Sequence, residues 1–218
     1  MAVVLAFVLA YVFSLIIGFG LHEWSHAFTA YKMGDPTPKV LGRLTLNPLK
    51  HVDGLGMVSF LLIGFGWAKP VQVNPMNFKN YKRGMFLVSI SGIFTNLLLA
   101  FVFSGAYYLF VTNCAIGFSN GAYTYSNALM YFFHFLFEYS IIINITMFIF
   151  NLMPIFPLDG FNIIRSFCKY DNKFISFMYR YGTLILIFVL ISPIFDILYS
   201  LISGNILQIF FNFWGIFG

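Results

Sequence analysis

Long apolar stretches alternate with short polar connections along this chain. Four of them reach the roughly 20 apolar residues that a membrane-crossing helix needs: residues 3–31, 84–111, 128–153 and 176–202. The third stops at Pro154, and Pro193 predicts a bend in the fourth. Residues 55–66 are apolar but too short to span, rich in Gly, and set between charged connections. That pattern predicts a membrane-dipping strand or hairpin, whose backbone must pair or be buried in protein. The last apolar piece, 205–217, holds Trp214 and several Phe without a charge, and predicts a segment lying at an interface.

Composition makes the bilayer the solvent. Of 218 residues, 60% are hydrophobic and only 9% are charged, against about 25% charged in soluble domains. The expectation is an all-α polytopic membrane protein with about four transmembrane helices and the dipping segment, forming one domain over 1–218. No Lys or Arg precedes Lys32, so the first stretch reads as a retained span rather than a cleaved signal. Eight basic residues lie between Lys32 and Arg83, and the other four between Arg165 and Arg180. By the positive-inside rule, 32–83 and 154–175 face the cytoplasm, and the N-terminus, 112–127 and the C-terminus face outward. The net charge of +5 therefore reports topology. The bases flank spans instead of forming one cluster, so no nucleic acid is expected as a partner. Cys114 and Cys168 fall on opposite sides, which argues against a disulfide.

One polar group breaks the first apolar stretch: GLHEWSHAF, residues 20–28. His22 and His26 are i and i+4, so on a helix they project from the same face about one turn apart. That spacing lets both imidazoles hold one Zn²⁺, with Glu23 between them as general base. Single helical histidines ordinarily serve packing. Here three ionisable residues fall within five membrane positions, and a central charge costs roughly 2.5–3.5 kcal/mol. They need a shared partner. A catalytic zinc needs a third protein ligand and an open position. The candidates are His51, Asp53, His134, Glu138, Asp159 and Asp196. Asp159 stands out, because it lies in NLMPIFPLDG, 151–160, just beyond the third span. Pro154 and Pro157 break the helix there, and Gly160 permits an unusual turn. The level fits as well: His26 lies about 9 Å before Lys32 on the first helix, and the third helix reaches the same side near Met153. A turn-capping aspartate before Gly is the plain alternative.

Three stretches together resemble the site-2 protease family of intramembrane zinc metalloproteases. They are HEWSH; GRLTLNPLKHVDGLG, 42–56, with GWAKPVQVNP, 66–75, and NFKNYKRGMFLVSISGIFTN, 77–96; and NLMPIFPLDG. The likeness runs over residues 18–165 and is nearest to compact bacterial members without PDZ or CBS domains. It implies regulated cleavage of membrane-anchored protein or peptide substrates in or beside the bilayer. It also implies His22, His26 and Asp159 as ligands of one Zn²⁺ per chain, and Glu23 as general base. Asn151 corresponds to the asparagine that holds the substrate carbonyl or its oxyanion. As a plain residue, Asn151 would cap the broken helix end. Asn144 is a weaker candidate, with an interhelical contact as its plain role. The chain departs from the family at Gly92-Ile93, where Gly-Pro is usual, though Asn96 is retained; it also departs at Gly54 and Phe161.

The other polar residues have ordinary readings. His51 and Asp53 fall in a loop. His134 and Glu138 form an i, i+4 pair in the outer half of the third span, read as a hydrogen-bonded interhelical pair because no third ligand is evident. A metal-binding transporter component or a catalytically silent scaffold are the rival functions. The polar cluster at one level argues against the first, and the intact Glu23 against the second. The expected location is a bacterial inner membrane. The dipping segment 55–66 is expected to hold an extended substrate by strand addition.

Overall fold

The structure is a computed structural model. It describes residues 1–63, 66–119, 121–169 and 172–215, with backbone alone for 60–63. In chain order, the described helices are α1 (Ala2–Met33), α2 (Thr37–Val40), α3 (Gly54–Ile63), α4 (Tyr81–Cys114), α5 (Ala128–Leu152), α6 (Asp159–Phe167), α7 (Lys173–Ile191) and α8 (Ile194–Gly215). A short antiparallel hairpin, β1 (Gly117–Ser119) with β2 (Ala122–Thr124), joins α4 to α5 and pairs Phe118 with Tyr123. α1, α4, α5, α7 and α8 are each long and apolar enough to cross a membrane. The chain is an integral, multi-pass, all-α membrane protein.

α1, α4 and α5 pack against one another and form the frame. Two of them do so through small residues at every fourth position. On α1 the buried stripe is Ala6, Ala10, Ser14, Gly18, His22, His26 and Ala30. On α4 it is Gly84, Val88, Gly92, Asn96, Ala100 and Ser104. Small side chains let helix backbones approach closely, which is the main source of packing energy where lipid removes the hydrophobic drive. The two histidines thus continue a packing stripe and face the bundle interior. On α5, Ile141, Ile145 and Ile149 complete the core against Ala100.

Asparagines start several elements. Asn80, Asn127 and Asn172 each accept a backbone N–H in the first turn of α4, α5 and α7, which satisfies an otherwise orphaned donor. α1 ends at Gly34, whose φ of 110° lets its N–H turn back to the carbonyls of Ala30 and Tyr31. Asp35 follows and is fully buried. Its carboxylate accepts from Thr37 N, Thr37 Oγ1, Asn74 N and Asn77 Nδ2 at 2.6–3.0 Å. One side chain therefore staples residues 74–77 to the end of α1.

The structure changes three expectations. Residues 54–63 form helix α3, not a strand or hairpin; Gly64 and Phe65, the rest of that expectation up to residue 66, lie outside the described residues. An uncharged apolar segment satisfies its own backbone bonds best as a helix, and Asp53 caps it by accepting from Gly56 N at 2.9 Å. The extended chain begins later: Val52 and Ala68 form an antiparallel bridge, and Lys69 N donates to His51 O at 2.8 Å. The fourth span is two helices, because Pro193 has no N–H to continue the ladder. Finally, residues 205–215 are not a separate interfacial piece but the end of α8. There Trp214 stacks on Phe101 with centroids 4.7 Å apart and donates to Ser104 Oγ at 2.9 Å.

α7 packs on the segment that follows α5. Tyr179 packs on Phe156 and Phe161. Leu186 and Val189 join a cluster with Met153, Ile155, Leu158 and Phe195. α8 then continues to Phe101 and Ser104.

Candidate metal centre

The site forms at one end of the bundle, where α1 ends, α4 begins and α5 ends. His22 and His26 are buried there. Gly92 of α4 faces both rings. A Cβ on Gly92 would lie 2.5 Å from His26 Nε2 and 2.6 Å from His22 Cε1. No other residue lets α4 close on the imidazoles at this point.

Each ring has its Nδ1 engaged by an acceptor. His26 Nδ1 donates to Val88 O at 2.8 Å, and His22 Nδ1 lies 2.6 Å from Asn96 Oδ1. Both Nε2 atoms then carry lone pairs, and they point at the same place, 3.0 Å apart. Two lone pairs at that distance repel unless something positive lies between them.

The chain after α5 brings in a carboxylate. α5 stops at Leu152, the segment 153–158 runs with a cis Phe156–Pro157 bond, and Asp159 opens α6. Gly160 does not adopt a left-handed turn. Its missing Cβ instead leaves room for the carbonyls of Leu152 and Met153. Leu158, not Asp159, is the N-cap of α6. Asp159 Oδ2 lies 3.4 Å from His22 Nε2 and 3.1 Å from His26 Nε2. That oxygen is buried and has no hydrogen-bond partner in the protein.

These three atoms fit a divalent metal. A tetrahedral zinc with bonds of 2.0–2.2 Å sets its ligands roughly 3.3–3.6 Å apart. The observed separations are 3.0, 3.1 and 3.4 Å. The structure thus brings His22, His26 and Asp159 together. Among the described residues, no other cluster of three His, Cys, Asp or Glu side chains is so arranged. The bond from Nδ1 to an acceptor is the usual support that orients a metal-binding histidine.

A cavity of about 430 Å³ opens beside the three atoms, lined by Glu23, Asn151, Val71, Asn162 and Arg165 among others. Glu23 Oε2 accepts from Val71 N at 2.8 Å. This bond ties the extended segment after Ala68 over the cavity and leaves Oε1 free of it. Asn151 Nδ2 donates to Met147 O at 3.1 Å within its own helix, and its amide keeps a second N–H.

The remaining candidates lie elsewhere. His51 is fully buried, not solvated, and its Nε2 donates to Thr45 O at 3.0 Å. Asp53 caps α3. His134 Nδ1 bonds to Tyr125 Oη at 2.9 Å and its Nε2 lies 3.5 Å from Glu138, so its hydrogen bond goes to the connection after β2, while its ring packs on Tyr107 of α4. Asp196 lies in the first turn of α8. Sequence reasoning left three parts of the site unassigned: the Asn96 contact, the Val71 N–H and the role of Gly92. An amide in an apolar span was the one visible sign, since such a group needs a partner.

Comparison with known proteins agrees with this geometry. The model of peptidase family M50 matches residues 10–191. A Bacillus subtilis protein named "Putative zinc metalloprotease YwhC" is 44% identical over 155 residues, covering 71% of this chain and 67% of that protein. Rip2 of Mycolicibacterium smegmatis, described in the same words, is 31% identical over 182 residues, covering 79% of this chain and 63% of that protein. The Mycobacterium tuberculosis Rip2 is 35% identical over 97 residues, covering 42% and 37%. No solved structure matches the chain. With two buried histidines of an HEWSH helix facing an LDG aspartate, and a family match over most of its length, the chain belongs to peptidase family M50, the site-2 protease family of zinc metalloproteases.

Proposed function

We propose that this chain is an intramembrane endopeptidase that cuts membrane-anchored protein substrates in regulated proteolysis, near the cytoplasmic side of a bacterial inner membrane. One observation supports it above the rest: three donor atoms of His22, His26 and Asp159 face one point beside a cavity that also holds Glu23 and Asn151. The cavity lies at the end of the bundle that carries the basic residues, which the positive-inside rule assigns to the cytoplasm, with the N-terminus outside. The whole chain, 1–218, serves as one catalytic domain in this reading.

Zinc, when bound by the three side chains, supplies Lewis-acid polarisation of the scissile carbonyl and activation of water. The protein does the rest. Glu23 takes a proton on the oxygen that Val71 leaves free and delivers it to the leaving amine. Asn151 offers its second amide hydrogen to the substrate carbonyl as charge develops there. A helical peptide bond is shielded by its own hydrogen bonds, so the substrate must be extended before attack. The stretch 66–74, bridged to Val52 at Ala68 and carrying Val71 and Val73 into the cavity wall, is the place for strand addition, in the stead of 55–66. Proline at alternate positions of that stretch then lowers cleavage; indifference at every position refutes strand addition.

A file of buried polar side chains continues from the site towards the far end: Asn96, Asn144, Ser140 and Ser14. Each is fully buried and bonded to the next or to a carbonyl. It is a packed network and not a pathway, which favours the protease over a transporter.

The deciding experiment is metal content by mass spectrometry on purified wild type and Asp159→Ala, with Glu23→Gln as the inactive control. One zinc in wild type and loss in Asp159→Ala at intact folding support the reading. Wild type that neither retains nor rebinds zinc defeats it.

A further inference from the structure

Behind His22, on the side away from the cavity, stand two amides that neither ligate nor react. Asn96 of α4 and Asn144 of α5 are both fully buried. Asn144 Nδ2 donates to the Ser140 carbonyl at 2.8 Å. Asn144 Oδ1 accepts from Asn96 Nδ2 at 2.8 Å. Asn96 Oδ1 then meets His22 Nδ1 at 2.6 Å.

The direction of this line is fixed at its far end. A main-chain carbonyl only accepts, so Asn144 must turn its nitrogen to Ser140. Its oxygen therefore faces Asn96, and Asn96 must answer with nitrogen. Asn96 is left with only an oxygen for His22. An oxygen opposite Nδ1 requires the ring proton on Nδ1, which puts the lone pair on Nε2, toward His26 and Asp159. Flipping either amide sets donor against donor or acceptor against acceptor.

We infer that Asn96, held in its flip state by Asn144, is a positioning residue that fixes the Nδ1–H tautomer and ring angle of His22. His26 obtains the same result in one step, from the Val88 carbonyl. A side-chain amide has two flip states where a carbonyl has one, so His22 needs the second asparagine. The inference rests on His22 being a metal ligand. A plain interhelical contact between the two asparagines is the competing account.

The test separates the two. ¹⁵N-histidine NMR on metal-free protein, at a pH where the rings are neutral, reads the His22 tautomer directly. Wild type is expected to show the proton on Nδ1. Asn144→Ala leaves Asn96 Nδ2 only the weak Met147 sulfur acceptor at 3.7 Å, so Asn96 flips and the tautomer population splits, although Asn144 touches no ligand. Asn96→Leu removes the acceptor and weakens zinc binding about 10–100-fold. Asn96→Asp keeps an acceptor at His22 but turns a second oxygen on Asn144 Oδ1. It is therefore read together with Asn144→Ala, where it returns the proton to Nδ1 and holds the zinc affinity within a few-fold of wild type. An unchanged tautomer in folded Asn144→Ala overturns the relay. Loss of zinc in that folded double variant equal to that in Asn96→Leu overturns the acceptor role. Failure of wild type to bind zinc at all strikes the metal reading, while the tautomer measurement still decides the relay.

Discussion

Two i, i+4 pairs of polar side chains in this protein share a spacing and little else. His22 with His26 on α1, and His134 with Glu138 on α5, are both i, i+4 on long apolar helices. At the first, each Nδ1 faces an oxygen that accepts, both Nε2 lone pairs converge, and Asp159 arrives from α6 to face them. At the second, Nδ1 meets the Tyr125 hydroxyl, which donates or accepts. Its Nε2 faces one carboxylate with a side chain 40% exposed. Helical spacing only makes two groups neighbours. The polarity of the hydrogen bonds behind them and a third ligand from another element make a cation site.

The covers over the two ends differ likewise. The segment over the metal centre is tied by carboxylates, buried Asp35 to Asn74 and Asn77, and half-buried Glu23 to Val71. The β1–β2 hairpin at the other end is tied through Tyr125, whose ring packs on Phe110, Tyr131 and His134. A cover that must hold chain over charged chemistry uses charge-assisted bonds; one over an aromatic cluster uses ring packing.

The largest effect should come from Asp159→Ala, which removes the group that distinguishes the first pair from the second. Zinc per chain falls from one to near none by mass spectrometry, with helix content unchanged. Glu23→Gln comes next. Cleavage of a transmembrane peptide drops about 10²–10⁴-fold, the usual worth of a general base, while zinc is retained. Gly92→Ala drives a methyl into both rings. It should weaken zinc binding in a competing-chelator titration and cost about 1–3 kcal/mol in thermal unfolding.

Asp35 gives a smaller, pH-dependent effect. Burial raises its pKa, but hydrogen bonds from Asn77, Thr37 and Asn74 outweigh this and hold it below the usual carboxylate range. A depressed pKa contributes stability that is fully present above the ordinary Asp value of about 3.9 and is lost as pH falls through the lowered one. Wild type should lose its margin over Asp35→Ala below that value and keep it at neutral pH. Thermal melts in detergent across that range read it. The smallest effect belongs to His134→Gln: zinc content and cleavage stay within about twofold of wild type. Loss of zinc in that variant would end the contrast between the two pairs.

Much of the site could be read in one dimension because its parts are local. The 3.6-residue turn places His22 and His26 together without help from the fold. The prolines after α5 announce a broken helix, and Asp159 sits in that break. Asn96 was visible as an amide in an apolar span and as the retained asparagine of the family resemblance, and Asn144 as a weaker candidate with an interhelical contact as its plain role. Their order along a hydrogen-bond line depends on α4 and α5 lying side by side at a given height, which no spacing within one span states.

Local sequence by itself settled the first three apolar spans, the basic end of the bundle, the face shared by the two histidines and the helix break before Asp159. Each depends on neighbours within a turn or on the length of an apolar run. Tertiary structure decided the rest. Residues 71–77 took their place beside the site because Glu23 holds Val71 and Asp35 holds Asn74 and Asn77. α8 ran on to Gly215 because α4 offered Phe101 and Ser104 to Trp214. Gly92 mattered because two rings from another helix fill the space of its missing methyl. Those outcomes turn on contacts between residues far apart in the chain, and a contact has no energy until the fold has brought its two sides together.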